Sequence, residues 1–469
     1  MLPPSAGPRQ RGALPSFWLA ADPYTPAPSL ARTIVADVAI VGAGFTGLWT
    51  AIELKTRRPA LAVVVLEAAV VGYGASGRNG GFLDCSLTHG LANGLRHFPD
   101  EIDELQRLGR ENLAAMVAFL AAHDVRCDYE PVGTLAVATE PYQVAEQHAA
   151  AEALAAHGEA VRLLDAAAVR AELDSPLFLG ALHRPESGGL LNPARLVRGL
   201  ARVAQELGVE LYESSPVTGL RAAFGGVHVD VGGTPAGQVR AEQVVLATNA
   251  YSGPLWRPTR PAFVPVYDYV LVSAPLTAAQ RQAIGWANRQ GVADSGNRFH
   301  YFRLTADDRI LWGGFDAVHH YGSRVGPAFD HRLQTFARLQ RHFVATFPQL
   351  RELAFPYRWG GPIATTTRFT ATFGRGMGGR LHYALGYTGL GVGATRFAAR
   401  VLADQLLAPD SPLLQLRYVR RHPFPFPPEP LRSAAIAGVQ RALRHADEHD
   451  GRRGLLLRTL DHLGIGFDS

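Results

Sequence analysis

The stretch Asp37–Gly47 (DVAIVGAGFTG) decides the fold of this 469-residue chain. It opens on an apolar run typical of a buried parallel strand, and a turn with glycines at Gly42, Gly44 and Gly47 follows directly. In such a turn the first glycine permits the tight bend and the second lets the backbone approach a pyrophosphate. The third lets the next helix pack closely against the strand. The pattern predicts a strand–turn–helix unit that binds a dinucleotide.

A second strand, Val63–Glu67 (VVVLE), completes this unit. Its terminal acid, Glu67, is placed to bind both hydroxyls of an adenosine ribose, and its charge argues against a 2′-phosphate at that position. The helix that begins near Phe45 directs its N-terminal amides and its dipole at the phosphates.

Composition indicates a globular enzyme of two domains. The chain is too long for one core, and 47% of its residues are hydrophobic while 19% are charged. The net charge of +5 comes from 46 basic and 41 acidic residues, and the basic ones are scattered arginines without a run. We therefore expect no nucleic-acid partner. Lys55 is the only lysine.

Cysteine usage and hydropathy exclude further classes of protein. Cys85 and Cys127 are the only two cysteines and lack a metal-type spacing, so we expect no metal, no disulfide framework and a cytoplasmic location. The proline-rich N-terminus lacks the apolar core of a signal peptide, and no 18-residue apolar run predicts a membrane span.

Periodicity predicts the remaining elements. Helices are expected at Glu101–His123, Gln143–Ala156, Asp165–Leu173, Pro193–Leu207, Arg332–Phe347 and Gly391–Leu407. Strands are expected at Val209–Tyr212, Val217–Leu220, Val227–Val231, Gln243–Leu246, Phe263–Val272, Phe299–Gly313, Trp359–Phe373 and Leu381–Leu385. The other segments are a coil (Ser5–Ala31), the βαβ unit (Thr33–Leu66), a glycine-rich loop (Val70–Leu83), a linker (Phe424–Pro430) and a helical tail (Leu431–His462).

Four motifs give the chain a family resemblance. They are the turn of the βαβ unit with Glu67, Gly74–Gly81 (GASGRNGG), Val245–Tyr251 (VLATNAY) and Gly386–Thr395 (GYTGLGVGAT). Supporting segments are Tyr301–Arg303 (YFR), Ile310–Gly314 (ILWGG) and Arg358–Ile363 (RWGGPI). With these motifs, the chain resembles the D-amino-acid-oxidase (DAO) family of FAD-dependent oxidoreductases. Within it, the chain is similar to the gamma-glutamylputrescine oxidoreductase-like branch.

The resemblance implies an α/β fold (α+β, two-domain). A Rossmann-like FAD-binding domain of the glutathione-reductase type would carry an inserted antiparallel-sheet substrate domain. The expected FAD-binding domain is discontinuous (33–90, 190–256 and 356–415), and the substrate domain comprises 91–189 and 257–355. Residues 1–32 would form an N-terminal coil, and 416–469 a linker and helical tail.

The resemblance also implies which residues bind FAD. An NAD enzyme needs only the first βαβ unit, whereas FAD also needs backbone donors that lie far away in sequence. The expected contacts are Gly42, Gly44, Phe45, Thr46, Gly47, Glu67, Ala68, Gly74, Ala75, Ser76, Gly77, Arg78, Asn79, Gly80, Gly81, Val217, Ala247, Thr248, Asn249, Gly361, Gly389, Leu390, Gly391, Val392 and Gly393. At Val217 only the backbone would be functional.

For the substrate, the family removes a hydride from the carbon next to an amine, and no dedicated base is required. Tyr301 and Arg303 share one face of a strand, so we expect Tyr301 to form a pocket wall and Arg303 to clamp an anion. Tyr267, Tyr269 and Trp359 would form an aromatic cage for a cationic amine. The alternative for all of them is a role in folding.

Two positions depart from the family pattern. Leu390 stands where the branch has histidine, and Ala364 stands where the α-amino-acid oxidases place an arginine for the substrate carboxylate. Ala364 argues for an amine whose negative charge lies farther off. No cysteine lies near Gly386–Thr395, so we expect FAD to be non-covalent.

These residues favour an FAD-dependent oxidoreductase that oxidises a primary or secondary amine to an imine. The alternatives are an amino-acid oxidase of the sarcosine, pipecolate or D-amino-acid type, a non-catalytic flavoprotein scaffold and an NAD-only dehydrogenase. Dioxygen or another acceptor would reoxidise the flavin. Helical spacing places Lys55 far from the flavin, so a cation that assists dioxygen would have to be an arginine, a histidine such as His300, or the product amine. The sequence leaves the oligomeric state open.

Overall fold

A computed structural model describes residues 16–465 of the chain. Its strands follow the apolar and β-branched segments. In chain order they are β1 (Thr33–Val41), β2 (Val63–Leu66), β3 (Phe82–Asp84), β4 (Thr134–Ala138), β5 (Arg162–Asp165), β6 (Gly180–Arg184), β7 (Gly188–Leu190), β8 (Glu210–Tyr212), β9 (Val217–Ala223), β10 (Gly226–Val231), β11 (Gly237–Leu246), β12 (Val264–Val272), β13 (Gly291–Asp294), β14 (His300–Leu304), β15 (Ile310–Gly314), β16 (Val318–His319), β17 (Tyr357–Thr365), β18 (Thr372–Gly376) and β19 (Leu381–Leu385).

The α-helices alternate with these strands and present an apolar face to them. In chain order they are α1 (Phe17–Ala21), α2 (Phe45–Arg57), α3 (Leu91–His97), α4 (Ile102–Ala122), α5 (Pro141–Ala156), α6 (Ala166–Glu172), α7 (Pro193–Glu206), α8 (Ser252–Leu255), α9 (Ala278–Ile284), α10 (Leu333–Thr346), α11 (Gly391–Leu407), α12 (Arg417–Arg420), α13 (Leu431–Asp447) and α14 (Leu455–His462).

The first sheet has eight strands and contains the predicted βαβ unit. Its main order is β18-β19-β11-β1-β2-β8, with β10 paired to β11 and β9 paired to β10. β1 runs parallel to both β2 and β11, and its last residues are fully buried between them. Helix α2 connects β1 to β2 and packs against α11 and α7. The predicted Rossmann-like unit is confirmed.

The second sheet has nine strands, in the order β16-β12-β15-β14-β13-β4-β6-β5, with β17 on the other edge of β12. Nearly all of its pairs are antiparallel, as expected, but β13 and β4 are parallel, so the sheet is mixed. This second sheet beside the Rossmann-like one makes the mixed α/β fold that the resemblance implied.

The two faces of the second sheet have different partners, because side chains alternate along each strand. The face that carries Val270 and Trp359 packs with α1, and we call it the loop face. The face that carries Tyr269 and Phe302 packs on α10, and we call it the core face. β12 and β17 pair so that Val270 lies opposite Trp359 and Asp268 opposite Gly361.

Four predicted elements differ in the structure. The expected strand Phe299–Gly313 is two strands, β14 and β15, because the chain turns at 305–309, where the Thr305 amide bonds the carbonyl of Arg309. The predicted coil is wrong over Phe17–Ala21, which is helical because the Ser16 hydroxyl caps it and three of its side chains are buried. Residues 5–15 lie outside the described residues. The predicted strand Trp359–Phe373 is two strands, because the chain turns where Thr366 bonds the carbonyl of Thr370. The helical tail is two helices, separated by a turn at 448–454.

Within residues 16–465, no helix is long and apolar enough to cross a membrane. The same part of the chain holds no group of three or more His, Cys, Asp or Glu side chains arranged for a metal ion.

Candidate active site

The turn between β1 and α2 is packed so tightly that only glycine fits at its first and third glycine positions. Gly42 has a φ of +106°, and a Cβ there would lie 2.8 Å from the carbonyl oxygen of Ala247. A Cβ on Gly47 would lie 1.9 Å from the carbonyl oxygen of Gly42. These glycines therefore hold the turn against β11 and bring α2 close to the sheet, in the roles expected of them.

The first turn of α2 is available to an anion. Its N-cap is Gly44, which offers no side-chain cap, and the amide of Phe45 donates to the Ser76 hydroxyl at 2.9 Å. Ser76 therefore takes one amide of the first turn, and the amides that follow it, which lack a side-chain cap from Gly44, favour a phosphate there. Thr46 points away from this end, because its hydroxyl bonds that of Tyr387 at 2.8 Å.

Glu67 lies at the end of β2, directly beside the turn. One carboxylate oxygen accepts the Ala43 amide at 2.9 Å and the other accepts the Ala69 amide at 3.0 Å. Burial raises the pKa of this carboxyl, although part of its surface remains accessible. The Ala68 amide also bonds this carboxylate, so of its about four acceptor sites one is left for a ribose hydroxyl. The amide of Ser215 bonds the carbonyl oxygen of Glu67, which brings the start of β9, with Val217, to the same place, while Ala68 is exposed.

The segment Gly74–Gly81, which we call the glycine-rich loop, is held in one conformation by hydrogen bonds to its carbonyl oxygens. Within the loop, the Asn79 amide nitrogen donates to the carbonyls of Ala75 and Ser76 at 3.0 and 3.1 Å. The Asn79 oxygen accepts the Gly81 amide at 2.8 Å. Asn79 therefore shapes the loop from inside.

Side chains from distant segments hold the other carbonyls of the loop. Their donors are the Ser16 hydroxyl to Gly77 (2.5 Å), the Trp359 indole to Arg78 (2.9 Å), the Trp18 indole to Asn79 (2.9 Å) and the Arg303 guanidinium to Gly81 (3.1 Å). These donors hold the carbonyl side of the loop. A Cβ on Gly77, Gly80 or Gly81 would lie under 3.0 Å from protein atoms, so these glycines allow the loop to pack closely within the protein. Ser16 and Trp18 belong to no recognisable motif, so their role could not be predicted from the sequence.

The side chain of Arg78 faces the second sheet instead of a cofactor. It lies 2.7 Å from the Asp330 carboxylate and donates to the carbonyls of Tyr73 and Gly360 at 2.8 and 3.1 Å. A Cβ on Gly361 would lie 3.1 Å from its Cδ. The Arg78 side chain is therefore used within the protein, and its backbone N–H and carbonyl bond Ala75 and Trp359, so the FAD contact of Arg78 stays a prediction.

The predicted contacts near the C-terminal end of the first sheet form two adjoining turns. The Asn249 side chain, which follows Ala247 and Thr248, accepts the Gly386 amide at 2.9 Å and joins them. Gly389 has a φ of +94° with open space around its Cα, and α11 begins directly after it at an N-cap without a side-chain bond. A Cβ on Gly393 would lie 2.5 Å from the carbonyl oxygen of Asp84, so this glycine brings α11 close to β3. The first helical residue, Gly391, is partly exposed, whereas the side chains of Leu390 and Val392 are partly and almost fully buried.

On the substrate side, Tyr301 touches the glycine-rich loop. A Cβ on Gly80 would lie 2.7 Å from its ring, and its hydroxyl donates to the Asp268 carboxylate at 2.5 Å. The predicted pocket wall therefore lies against the predicted flavin-binding loop. Asp268 was missed, since a single acid within an apolar strand has no motif around it.

The predicted anion clamp at Arg303 is wrong. Arg303 is 1% exposed, and its guanidinium donates to the carbonyls of Gly81, Leu191 and Leu304 at 3.1, 2.7 and 3.0 Å. Burial lowers its pKa to about 10. A guanidinium this deeply buried, with three of its five N–H donors on backbone carbonyls, holds the chain together and is closed to a substrate carboxylate.

The predicted aromatic cage is also wrong. Tyr267 and Tyr269 are fully buried on the core face, and their hydroxyls donate to the carbonyls of Gly326 and Phe329 at 3.2 and 2.9 Å. Trp359 is buried on the loop face, where it bonds the glycine-rich loop. The alternation of β12 explains the error, because it places Asp268, between the two tyrosines, on the loop face.

Taken together, the described residues fit FAD. Two helices begin without side-chain caps, an acid stands at the end of β2, and a rigid glycine loop faces the second sheet. Partly accessible residues mark where the cofactor would lie: Gly44, Glu67, Ser76, Gly361 and Gly391. The N-terminus of α2 would hold the pyrophosphate, and Glu67 would bind the ribose. The glycine-rich loop and the start of α11 would hold the flavin.

Comparison with known proteins agrees with this geometry. The chain is 32% identical to gamma-glutamylputrescine oxidoreductase of Escherichia coli (strain K12) over 416 residues, which cover 86% of this chain and 91% of the relative. It is 29% identical to the probable oxidoreductase OrdL of Haemophilus influenzae over 392 residues, or 82% and 86% of the two chains.

Solved structures share the fold. Glycine oxidase from Geobacillus kaustophilus superposes with a TM-score of 0.66 at 22% identity, covering 80% of this chain and 98% of that one. L-proline dehydrogenase from P. horikoshii superposes with a TM-score of 0.64 at 20% identity, covering 84% and 97%. The family described as DAO, FAD dependent oxidoreductase, matches residues 37–405. The chain belongs to this family of FAD-dependent oxidoreductases.

Proposed function

We propose that this protein oxidises the carbon–nitrogen bond of a primary or secondary amine to an imine, which then hydrolyses. The observation that carries the proposal is the contact between Tyr301 and Gly80, where the ring of a second-sheet residue lies against the glycine-rich loop. A substrate held by the loop face of the second sheet would therefore meet the flavin that this loop binds.

The bound FAD supplies the redox chemistry, because it accepts the two electrons that leave the substrate. The protein's own residues bind and orient. The carbonyl oxygens of the glycine-rich loop are already occupied by Asn79, Trp18 and other donors, so the loop does not reorganise when the cofactor arrives. Tyr301 forms the wall of the substrate pocket.

We expect the FAD to be non-covalent. Burial raises the pKa of both Cys85 and Cys127 to about 12, so neither thiol is a ready nucleophile at neutral pH. Acid precipitation should release yellow FAD into the supernatant. Colour that stays with the precipitated protein would contradict this expectation.

Two features favour an amine over an α-amino acid. Ala364 is fully buried in an apolar cluster with Ala250, Phe263 and Leu385, so this position offers no cation to a carboxylate. Arg303 is committed to backbone carbonyls. The named relative from E. coli supports a substrate whose carboxylate lies far from the reacting nitrogen, such as γ-glutamylputrescine.

Anaerobic reduction of the flavin by a panel of amines tests the proposal. The panel is γ-glutamylputrescine, putrescine, sarcosine, glycine, L-pipecolate and D-alanine, and the readout is loss of flavin absorbance. We expect amines without an α-carboxylate to reduce the flavin fastest. Fastest reduction by an α-amino acid would favour the amino-acid oxidase instead, and no reduction by any compound would favour a non-catalytic flavoprotein.

A further inference from the structure

A buried carboxylate faces the glycine-rich loop from the middle of the second sheet. Asp268 lies on β12 opposite Gly361 of β17, and Gly361 in turn contacts the Arg78 side chain. The neighbouring Tyr267 and Tyr269 point the other way, into the core. Asp268 is thus the carboxylate that the loop face of β12 turns towards the predicted flavin site.

Three donors hold this carboxylate in place. The Tyr301 hydroxyl donates to one oxygen at 2.5 Å, the Tyr269 amide donates to the other at 2.8 Å, and the Gly314 amide also bonds the group. A carboxylate has about four acceptor sites. One site is therefore left, and part of the residue's surface remains accessible.

Asp268 has no cationic partner among residues 16–465. Two arginines of the adjoining loop and strand already have other partners, since Arg78 pairs with Asp330 and Arg303 bonds backbone carbonyls. Burial without a counter-ion raises the pKa of the Asp268 carboxyl to about 6. Because a buried charge without a partner is costly, such a site favours a cation that arrives from outside the chain.

We propose that Asp268 binds the ammonium group of the amine substrate and removes one of its protons. The inference rests on the proposed function and adds the group that recognises the reacting nitrogen. Tyr301 acts as a positioning residue, because its hydroxyl fixes one carboxylate oxygen and leaves the free acceptor site in a defined direction.

The step is a proton transfer without oxidation. One N–H bond of the ammonium breaks, its proton forms an O–H bond on Asp268, and the electron pair of that N–H bond stays on nitrogen as its lone pair. Only the neutral amine has the lone pair that an imine needs, so this transfer prepares the substrate for oxidation.

The surroundings define the pH dependence. Tyr301 faces Asp268 from β14, and burial beside this acid raises its pKa well above the usual value. From β15 and β17 the neighbours are Gly314 and Gly361, which do not titrate. From β16, His319 lies opposite Val266, and its ring contacts the Pro265 carbonyl at 3.3 Å and the Glu429 carboxylate at 3.7 Å. Arg78 approaches Gly361 from the loop but is ion-paired. Asp268 is therefore the group expected to set the acidic limb, near pH 6.

The test compares Asp268→Asn with Asp294→Asn. Asp294 is the matched control, because it is a partly buried carboxylate of the same sheet that bonds a side chain and a backbone amide, both of His300 on the core face. The first probe is tert-butylammonium, whose α-carbon carries no hydrogen and cannot be oxidised. Its binding to the holoenzyme is followed by the flavin difference spectrum at pH 8, with tert-butanol as the neutral isostere.

We expect Asp268→Asn to weaken binding of tert-butylammonium at least 10-fold, with unchanged FAD content, and Asp294→Asn to stay within twofold of wild type. In wild type, binding should weaken below about pH 6, and Asp268→Asn should abolish this dependence. Equal binding by wild type and Asp268→Asn overturns the inference. So does wild-type protein that prefers the cation no more than tert-butanol.

The second readout is the rate of anaerobic flavin reduction by the fastest amine of the panel. Asp268→Asn should raise the apparent dissociation constant at least 10-fold and remove the acidic limb, whereas a merely structural role would leave that limb in place. If no amine reduces the wild-type flavin, the proposed function fails, and the binding of tert-butylammonium still decides the role of Asp268.

Discussion

The guanidinium of Arg78 lies 2.7 Å from the carboxylate of Asp330, with the two side chains 3% and 2% exposed. Arg78 belongs to the glycine-rich loop, and Asp330 belongs to the segment that leads into α10 on the second sheet. This ion pair therefore ties the predicted flavin-binding loop to the predicted substrate sheet. Because both charges are buried away from water, each one is stabilised by the other, and removal of either leaves an uncompensated charge.

Asp330→Ala should destabilise the protein strongly, since it leaves the Arg78 charge buried without its partner. We expect the free energy of unfolding to fall by about 3–5 kcal/mol, measured by urea denaturation. The control is Glu206→Ala, which breaks an exposed pair with Arg202 and should cost less than about 1 kcal/mol. A loss in Asp330→Ala as small as that in Glu206→Ala would show that the buried pair is not important for stability.

Glu67→Gln should weaken FAD binding. The change keeps the size and one acceptor oxygen for the nearby Ala43 and Ala69 amides but removes the charge offered to the ribose. Loss of a charge-assisted hydrogen bond of about 1.5–3 kcal/mol corresponds to a roughly 10- to 100-fold higher dissociation constant. The fluorescence of released FAD measures this dissociation constant. Wild-type affinity in the variant would mean that Glu67 does not bind the ribose.

Arg303→Met should affect folding and not substrate charge selectivity. The guanidinium bonds three backbone carbonyls, so its removal leaves them unsatisfied and costs about 2–4 kcal/mol in the free energy of unfolding. FAD content should fall because the Gly81 carbonyl is released. Acidic and neutral amines should be affected equally in KM. A rise in KM for the acidic amine alone would support the hypothesis that Arg303 clamps an anion.

Asp268 should make stability depend on pH. Its folded pKa of about 6 lies above the usual 3.8, so the folded protein holds this proton more tightly than the unfolded chain does. Stability from this group is therefore greatest below about pH 4 and is lost as pH rises through 6. Asp268→Asn should raise the free energy of unfolding at pH 8 by about 1–3 kcal/mol and leave it nearly unchanged at pH 4. A variant less stable than wild type at pH 8 would contradict this assignment.

Reoxidation of the reduced flavin by dioxygen should be slow to moderate. Lys55 is 8% exposed, and its ammonium bonds the carbonyls of Pro59 and Leu61 beyond the far end of α2. His300 lies on the core face, bonded to Asp294 and His342, so neither places a cation at the glycine-rich loop. Stopped-flow mixing of reduced enzyme with aerated buffer measures the rate. Reoxidation as fast as in lysine-bearing oxidases would refute the prediction, and sluggish reoxidation with fast dye reduction would indicate a dehydrogenase.

The sequence alone predicted the glycine spacing of the βαβ unit, the acid at its end and the loop motifs, because each depends on residues close together in the chain. A tight turn needs glycine at Gly42 whatever surrounds it, and the apolar run of β1 predicts a buried strand by itself. Alternation also predicted correctly that Tyr301 and Arg303 share a face. Short elements such as β4 and α9 were missed, since they are too brief for a periodic signal.

Which face of β12 meets the cofactor was decided only by the tertiary structure. Alternation separates Asp268 from Tyr267 and Tyr269 but does not say which set faces the core. Likewise, whether Arg303 binds a substrate anion or stabilises the fold depends on which carbonyls surround it. Two of those carbonyls belong to residues 112 and 222 positions away in the chain. The partner of a buried polar group is set by how distant segments pack, and a pattern of neighbours along the chain carries no record of that packing.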